Sequence, residues 1–205
     1  MSPYPPPTPV TFQSEPESVL IVLPTWVGDV VMATPFLEAM FARFPAAEIH
    51  LLMNRYLYPL LEGSPWVAHA HFWPPRKRTA VSKEEHRALL ANLRAARFDL
   101  AVMLPNSLRS AWLCWRSRSR RRVGYNRDGR GPLLTDPIEV PNREGKGYRP
   151  MPLVDYFGHL AQARGCPHPG DGLQLFTTPG CDEAVAERLR TSGVTGCTEE
   201  YPAPL

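Results

Sequence analysis

This sequence has no apolar run long enough to cross a membrane, and its first residues do not have the pattern of a secretory signal. Its apolar stretches fall far short of the roughly 20 residues that a spanning helix needs. Residues 1–18 contain no basic segment followed by an apolar one. We therefore expect a cytoplasmic protein whose only contact with a membrane is at the surface.

Cysteine is scarce, and histidine is not spaced for metal binding. The four cysteines (Cys114, Cys166, Cys181 and Cys197) form no CxxC pair, which is the spacing most typical of a zinc site. The six histidines show no pairing along the chain. We expect free thiols and no metal site.

An excess of one charge is also missing, because 23 Lys and Arg residues face 20 Asp and Glu residues. A net charge of +3 does not by itself indicate a nucleic-acid-binding protein. The charge is nevertheless uneven, with five arginines in residues 116–122. They suit an anionic ligand, an RNA patch or simply a solvated helix end. Arg122 and Arg130 flank the Gly124-Tyr125 turn and are the best candidates for a ligand role.

Proline is abundant, and its distribution predicts the domain limits. Six of the 24 prolines fall in the first 16 residues, so we expect residues 1–17 to form a disordered extension. Residues 18–180 have the composition of one folded domain. Residues 181–205 are expected to form a helix and an irregular tail. A helix in that position should lead into a further strand or domain, so the pattern indicates truncation, a frameshift or a natural stop.

Apolar runs and helical periodicities alternate along the folded domain. We predict strands at residues 19–23, 48–53, 67–72, 99–104 and 123–125, and helices at residues 30–44, 56–62, 82–97, 108–115, 152–164 and 182–191. For the third of these helices, Ser82 is predicted as N-cap with Glu85 completing a capping box. The alternation predicts an α/β fold: a Rossmann-like parallel sheet with helices on both faces.

Residues 19–35 carry the strongest functional signal, a buried strand, a tight loop and a helix start. Open α/β sheets bind ligands at the carboxyl ends of their strands, and Asp29 follows such an end. It is a candidate general base or, alternatively, a helix N-cap. Gly28 allows either close approach of a ligand or a turn with positive φ.

A second polar loop follows the strand at residues 99–104. Asn106, Ser107 and Ser110 lie there, again at a strand end. They either bind sugar hydroxyls or phosphates beside the helix N-terminus or cap that helix through Asn106 or Ser107. The residues alone leave both interpretations open.

Taken together, three strings resemble one family, the bacterial ADP-heptose:lipopolysaccharide heptosyltransferases of the heptosyltransferase II type. They are residues 24–35 (PTWVGDVVMATP), residues 98–111 (FDLAVMLPNSLRSA), and residues 122–125 (RVGY) followed by residues 131–134 (GPLL). Their order and spacing cover residues 18–164 and match the N-terminal domain of that family.

The resemblance implies the N-terminal half of a GT-B fold, with the lipopolysaccharide inner-core acceptor bound in this half. Asp29 matches the catalytic aspartate, which as general base deprotonates the acceptor hydroxyl that attacks ADP-heptose with inversion. The expected substrate-binding residues are Gly28, Thr25, Trp26, Asn106, Ser107, Ser110, Arg122 and Arg130. No metal or other cofactor is implied, and no nucleic-acid partner.

The resemblance places the donor contacts in a second, C-terminal domain, so we expect this polypeptide alone to transfer no sugar. An alternative is a non-catalytic single-domain module that binds an anionic glycan or nucleotide. An RNA-associated protein is a third possibility, which the small net charge and the absence of an RNA-binding motif disfavour.

Overall fold

The computed structural model describes residue 7 and residues 14–75, 79–145, 147–170 and 172–192. The predictions of a disordered extension before residue 14 and of an irregular tail at residues 194–205 therefore fall outside the described residues, apart from Pro7. Within the described ranges no helix has both the length and the apolar character needed to span a bilayer.

Six parallel strands form the central sheet. They are β1 (Ser18–Val22), β2 (Glu48–Met53), β3 (His69–Phe72), β4 (Leu100–Met103), β5 (Arg121–Tyr125) and β6 (Asp136–Ile138). Their order is β3-β2-β1-β4-β5-β6, so the chain builds outward from β1 on one side and then crosses to β4. The boundary between β1 and β4 is the switch point, where doubly wound sheets bind ligands. A separate antiparallel hairpin joins β7 (Arg143–Glu144) to β8 (Gly147–Tyr148).

Helices cover both faces of this sheet, as expected for parallel strands. They are α1 (Val27–Met32), α2 (Thr34–Arg43), α3 (Tyr58–Leu61), α4 (Ala80–Ala95), α5 (Leu108–Arg116), α6 (Leu153–Gln162) and α7 (Pro179–Thr191). Single 3-10 turns occur at Arg55–Leu57 and Gly131–Leu133. The predicted Rossmann-like fold class is confirmed.

The alternating side chains of β1 divide the core into two layers. Val19 and Ile21 pack with residues of α2 and α6, including Phe36 and Leu160. Leu20 and Val22 face the other way, toward α4 and α5. Each large apolar side chain buried in this way contributes about 1.5–3 kcal/mol to the stability of the fold, so both layers stabilise the sheet whose carboxyl edge carries the candidate site.

The predicted helix at residues 30–44 is two helices, with Ala33 between them. Pro35 lies in the first turn of α2, where its missing N–H leaves no hydrogen bond unmade. The Thr34 hydroxyl donates 2.7 Å to the carbonyl of Val31 and bridges the break. The prediction of one helix at residues 30–44 is therefore wrong: α1 begins earlier, at Val27, and Pro35 opens a second helix.

The predicted capping box of α4 is wrong in position. Thr79 is the N-cap, and its hydroxyl accepts from the Ser82 N–H at 3.1 Å. The Ser82 hydroxyl accepts from the Thr79 N–H at 3.0 Å, which completes the box. Ser82 is therefore the third helical residue rather than the cap, and Glu85 takes no part.

Candidate functional site

An open groove of about 860 Å³ lies at the carboxyl edge of the sheet. It is lined by segments that follow four strands: Leu23, Thr25 and Trp26 after β1; Asn54, Arg55 and Tyr56 after β2; Trp73, Pro74 and Pro75 after β3; and Pro105, Asn106, Ser107, Arg109 and Ser110 after β4. The groove therefore spans the β1–β4 switch point, and its volume is in the usual range for a ligand site.

The charge of this groove is positive. Its described lining includes Arg55 and Arg109 and contains no Asp or Glu. The Arg55 guanidinium lies 4.3 Å from the centre of the Phe72 ring, and that of Arg109 lies 4.3 Å from the centre of the Trp73 ring. Stacking fixes the plane of a guanidinium while its edge stays able to donate to carboxylate or phosphate. The lining of the groove therefore suits an anionic ligand.

The loop after β1 places the predicted catalytic aspartate in the first turn of α1. Trp26 is the N-cap residue, without a side-chain capping bond, so the alternative role of Asp29 as N-cap is excluded. Asp29 is half-exposed, and no described residue hydrogen-bonds to it or pairs with its charge. It lies three residues beyond Trp26 and is not among the groove-lining residues. Its carboxylate is thus available to a ligand that extends beyond the groove.

Gly28 belongs to the same helical turn, and it does not have the positive φ that the sequence allowed. A Cβ built on it meets no described atom within 4 Å. Neither backbone conformation nor crowding by the described residues requires glycine here, and close approach of a ligand stays a prediction.

Thr25 and Trp26, which the resemblance names as substrate-binding residues, both line the groove. The Thr25 carbonyl accepts a hydrogen bond from the Tyr56 hydroxyl, which ties the β1 loop to the β2 loop. The Trp26 side chain is 73% exposed, so its indole ring is accessible to a ligand in the groove.

The loop after β4 settles which residue caps α5. Ser107 is the N-cap and accepts from the Ser110 N–H at 3.2 Å. The buried Ser110 hydroxyl donates to the Ser107 carbonyl at 2.7 Å. Both residues also line the groove, so capping and ligand binding are not exclusive for Ser107, which is exposed.

The side chain of Asn106 is held from two sides. Its Nδ2 donates to the Tyr156 hydroxyl at 2.9 Å, and its Oδ1 accepts from Arg130 at 3.0 Å. Asn106 still lines the groove. Because its amide is held at both its oxygen and its nitrogen, the orientation that it presents to a ligand is fixed.

Arg130 was predicted to contact ligand, but it lies behind the groove wall. Its side chain is fully buried and donates to the Tyr125 carbonyl at 2.9 Å and to the Pro105 carbonyl. Burial lowers the pKa of Arg130 from its usual value, but the guanidinium stays protonated at neutral pH. Its place in the structure is that of a residue that positions Pro105 and Asn106.

Arg122 also lies outside the groove lining. Its Nε donates to the Leu133 carbonyl and its guanidinium to the Ser119 carbonyl, each at 2.8 Å. Arg122 is aligned with Ala101 in the interior of β4 rather than with the end of that strand. Its bonds hold the segments on either side of β5.

The arginine-rich segment 116–122 lies near the amino edge of the sheet, away from the groove. Arg120 pairs at 3.3 Å with Asp99, which directly precedes β4. Arg121 pairs with Asp136 of β6. The positive groove charge comes instead from Arg55 and Arg109, which sequence reasoning missed. Their positions directly after a strand and in the first turn of a helix were the available signal.

Three histidines without any pairing along the sequence come together in space. His50 of β2 stacks on His69 at 4.7 Å and on His71 at 5.1 Å, both in β3. Burial lowers the pKa of His50, and it lowers that of His71 to about 4. The spacing of the histidines along the chain did not predict this cluster, which forms only through the pairing of β2 with β3.

With this geometry established, comparison with known proteins shows what the chain is similar to. Residues 86–171 match the model of glycosyltransferase family 9 (heptosyltransferase). The chain is 34% identical over 186 residues to lipopolysaccharide heptosyltransferase 2 of Escherichia coli (strain K12), covering 90% of this chain and 51% of that protein. It is 31% identical, with the same coverage, to lipooligosaccharide heptosyltransferase 2 of Haemophilus ducreyi. The chain thus spans about half the length of the curated relatives it matches.

Solved structures agree with that extent. The structure of E. coli ADP-heptose lps heptosyltransferase II superposes with a TM-score of 0.64 at 27% identity, over 84% of this chain and 50% of that one. A glycosyl transferase family 9 structure from Veillonella parvula gives a TM-score of 0.73 at 18% identity, over 88% and 51%. The second likeness concerns the fold alone.

Proposed function

Since this chain is a relative of the heptosyltransferases of glycosyltransferase family 9 and matches about half their length, we propose that it is the acceptor-binding half of an inverting heptosyltransferase. The reaction transfers heptose from ADP-heptose to the lipopolysaccharide inner core. The observation that carries the proposal is the arginine-lined groove at the β1–β4 switch point, whose lining residue Trp26 lies three residues before Asp29.

Asp29 acts as the general base in this reaction. Its carboxylate accepts the proton of an acceptor hydroxyl, and the freed oxygen electron pair forms the new bond to the anomeric carbon of heptose. The bond from that carbon to the ADP oxygen breaks, and ADP leaves with the electron pair. Attack from the face opposite the leaving group inverts the configuration. No described residue pairs with the Asp29 carboxylate, so its oxygens can accept a hydrogen bond from an acceptor hydroxyl.

The acceptor occupies the groove. Inner-core sugars carry carboxylates and phosphates, and the forks of Arg55 and Arg109 match both. We assign the contacts to sugar hydroxyls to Thr25, Trp26 and Ser107, and close backbone approach to Gly28. Asn106, Ser110 and Arg130 hold the groove in shape, with Asn106 also facing the ligand, whereas Arg122 holds the segments on either side of β5. ADP-heptose is assigned to the half of the relatives that this chain does not span.

Binding of the acceptor alone tests this half of the proposal. Isothermal titration calorimetry at low salt, with a phosphorylated inner-core oligosaccharide, should show binding that weakens as salt is added. Arg55→Ala and Arg109→Ala should each lower the affinity about tenfold or more. The matched control is Arg87→Ala, an exposed arginine of α4 that pairs with Glu84. Absence of binding, or equal effects of all three variants, contradicts the proposal.

The role of Asp29 is tested in an enzyme that has both halves, made by joining this chain to the remaining half of the E. coli relative. Asp29→Asn should lower turnover by roughly 10²–10⁴-fold with the acceptor affinity of the chain unchanged. Glu38→Gln removes an exposed carboxylate of α2 and serves as control. Near-normal turnover of Asp29→Asn removes the general-base assignment.

One observation favours a second candidate, a non-catalytic module that binds an anionic glycan or nucleotide. The described lining of the groove holds two arginines and no carboxylate, which suits binding of an anion without any reaction. Titration with ADP separates the two candidates. A transferase half should bind the acceptor sugar in this groove but not ADP. A binding module should bind an anionic glycan or ADP without the other ligand.

We also propose that the protein works on the cytoplasmic side of the membrane, in peripheral contact with its surface. The outer side of α5 exposes Leu108, Trp112 and Trp115 at helical spacing, and Arg116 lies 5.3 Å from the centre of the Trp112 ring. Aromatic and basic side chains together suit an anionic lipid surface. Trp112→Ser with Trp115→Ser should reduce sedimentation with anionic vesicles, whereas the buried core is untouched. Equal sedimentation of the variant contradicts the contact.

A further inference from the structure

Three metal-ligating side chains meet where β2 and β3 begin. His50 and His69 are directly paired across the two strands, and Glu48 precedes His50 by two residues, so all three lie on one face of the sheet. The Glu48 Oε1 atom lies 2.8 Å from His50 Nε2 and 3.5 Å from His69 Nδ1. One ligand atom from each residue fits within a span of 4.8 Å.

We propose that Glu48, His50 and His69 bind a divalent transition-metal ion of the zinc class. Two imidazole nitrogens and a carboxylate oxygen are a ligand set that suits zinc. Ligand atoms about 2.0–2.1 Å from a tetrahedral ion are about 3.3 Å apart. The distances from Glu48 Oε1 to His50 Nε2 and to His69 Nδ1, 2.8 and 3.5 Å, lie on either side of that value. Small rotations of exposed side chains therefore suffice to centre an ion among them.

The outer partner of the site is His71. Its Nε2 lies 2.9 Å from His50 Nδ1. With the proton on His50 Nδ1, donated to His71, the lone pair of His50 Nε2 points toward Glu48. Such an outer hydrogen bond fixes the tautomer and orientation of a metal-binding imidazole. The Phe98 ring meets the His50 ring edge-on at 5.0 Å and closes the inner side of the site with an apolar wall.

The other side of the site is open to solvent. Only 9% of the His50 side chain is exposed, but 46% of the His69 side chain and 54% of the Glu48 side chain are accessible. An ion can enter from that side, with water as a fourth ligand. Glu48 begins β2, so the site lies at the amino edge of the sheet and is separate from the groove.

The consequence of binding is a clamp on the edge of the sheet. The β3 strand is the outermost strand on its side and pairs only with β2. An ion held by Glu48 and His50 from β2 and by His69 from β3 joins the two strands. Because binding requires the folded arrangement, the ion raises the stability of the fold.

The test is titration of the untagged, chelator-treated chain with Co²⁺ and then with Zn²⁺. We expect visible absorption from one equivalent of cobalt bound with nitrogen and oxygen ligands, displacement by zinc, and a zinc-dependent rise in the midpoint of thermal unfolding. His69→Ala and Glu48→Gln should abolish all three. His71→Phe, which keeps a ring but removes the outer hydrogen bond, should weaken binding about 10- to 100-fold.

Two controls keep the result interpretable. His86→Asn changes a half-buried histidine of α4 outside the cluster, and Cys181→Ser removes an exposed thiol; both should bind cobalt as the parent chain does. Circular dichroism of His69→Ala and Glu48→Gln verifies that each is folded. No cobalt absorption and no thermal shift in the parent chain, or undiminished binding in the folded His69→Ala variant, overturns the proposal.

Discussion

Arg130 donates a 3.0 Å hydrogen bond to the side-chain oxygen of Asn106 although the arginine has no exposed surface of its own. The groove wall after β4 is thus held from behind by a buried cation whose other donors meet the carbonyls of Tyr125 and Pro105. Loss of one partner would leave buried polar groups unpaired, which costs about 1–3 kcal/mol for each.

Gly124 leaves the space that this guanidinium occupies. A Cβ at this position would lie 2.9 Å from Nη2 of Arg130 and 3.3 Å from its Cζ. We expect Gly124→Ala to lower the free energy of unfolding by about 1–3 kcal/mol, as overpacking does, and to weaken ligand binding through Asn106. Urea denaturation and calorimetry measure the two effects. Gly172→Ala, where a Cβ meets nothing within 4 Å, is the matched control, and an equal midpoint for both variants contradicts the prediction.

Gly28→Ala should separate function from stability. Because Gly28 is helical and a Cβ there meets nothing within 4 Å, alanine should leave the unfolding free energy unchanged or raise it by up to about 1 kcal/mol. Acceptor affinity, or turnover in an enzyme with both halves, should fall, because the added methyl group occupies the space of the ligand. Unchanged affinity together with unchanged turnover would show that the glycine serves no ligand.

Thr79→Ala should lower the unfolding free energy by about 1 kcal/mol, because it removes the side-chain cap of α4. Glu85→Gln tests the capping box that the sequence pattern placed at Ser82 and Glu85. The unfolding free energy of this variant should stay within about 0.5 kcal/mol of that of the parent chain. Thermal unfolding of both variants measures the difference. A larger loss for Glu85→Gln than for Thr79→Ala would place the cap where the sequence suggested.

Asp136 should contribute to the acid sensitivity of the fold. Burial alone would raise the pKa of its carboxyl, but the hydrogen bonds from Arg121 and Thr135 and the Arg121 charge outweigh it, so the pKa lies below its usual value. The resulting stability is present above about pH 4 and is lost as the pH falls through the lowered folded pKa. Asp136→Asn should lower the free energy of unfolding by about 1–3 kcal/mol at pH 7, and by progressively less as the pH falls. A difference that stays constant down to pH 2 contradicts this assignment.

The sequence predicted the fold well because the central strands are almost entirely apolar. Four of the five residues of β1 and all four of β4 are buried, and both strands are followed by helices with clear periodicity. The edge strand β6 was missed because Pro137 interrupts its pattern; a sheet tolerates proline at an edge, where no ladder hydrogen bond is lost.

The site was predicted less completely, because its chemistry depends on contacts across strands. Asn106 was proposed from its place after a strand, and Thr25 and Trp26 from the family resemblance; all three line the groove. Arg55 and Arg109 lie alone in the sequence, and only the convergence of the β2 and β4 loops places them in one groove. The pairing of His50 with His69 depends on strand register, which no spacing along the chain reveals.

The parallel strand order has a consequence for how the protein folds. No two neighbouring strands of the six-stranded sheet are joined by a tight turn. Strand β1 pairs with the distant strand β4, and beside this pair the Glu17 N–H donates a hydrogen bond to the carboxylate of Asp99, 82 residues later. Such distant pairings make folding slow. During synthesis β1, β2 and β3 leave the ribosome before β4, so one edge of β1 stays unpaired until β4 is made. An unpaired strand edge is prone to association with other chains. Refolding yield should therefore depend steeply on protein concentration.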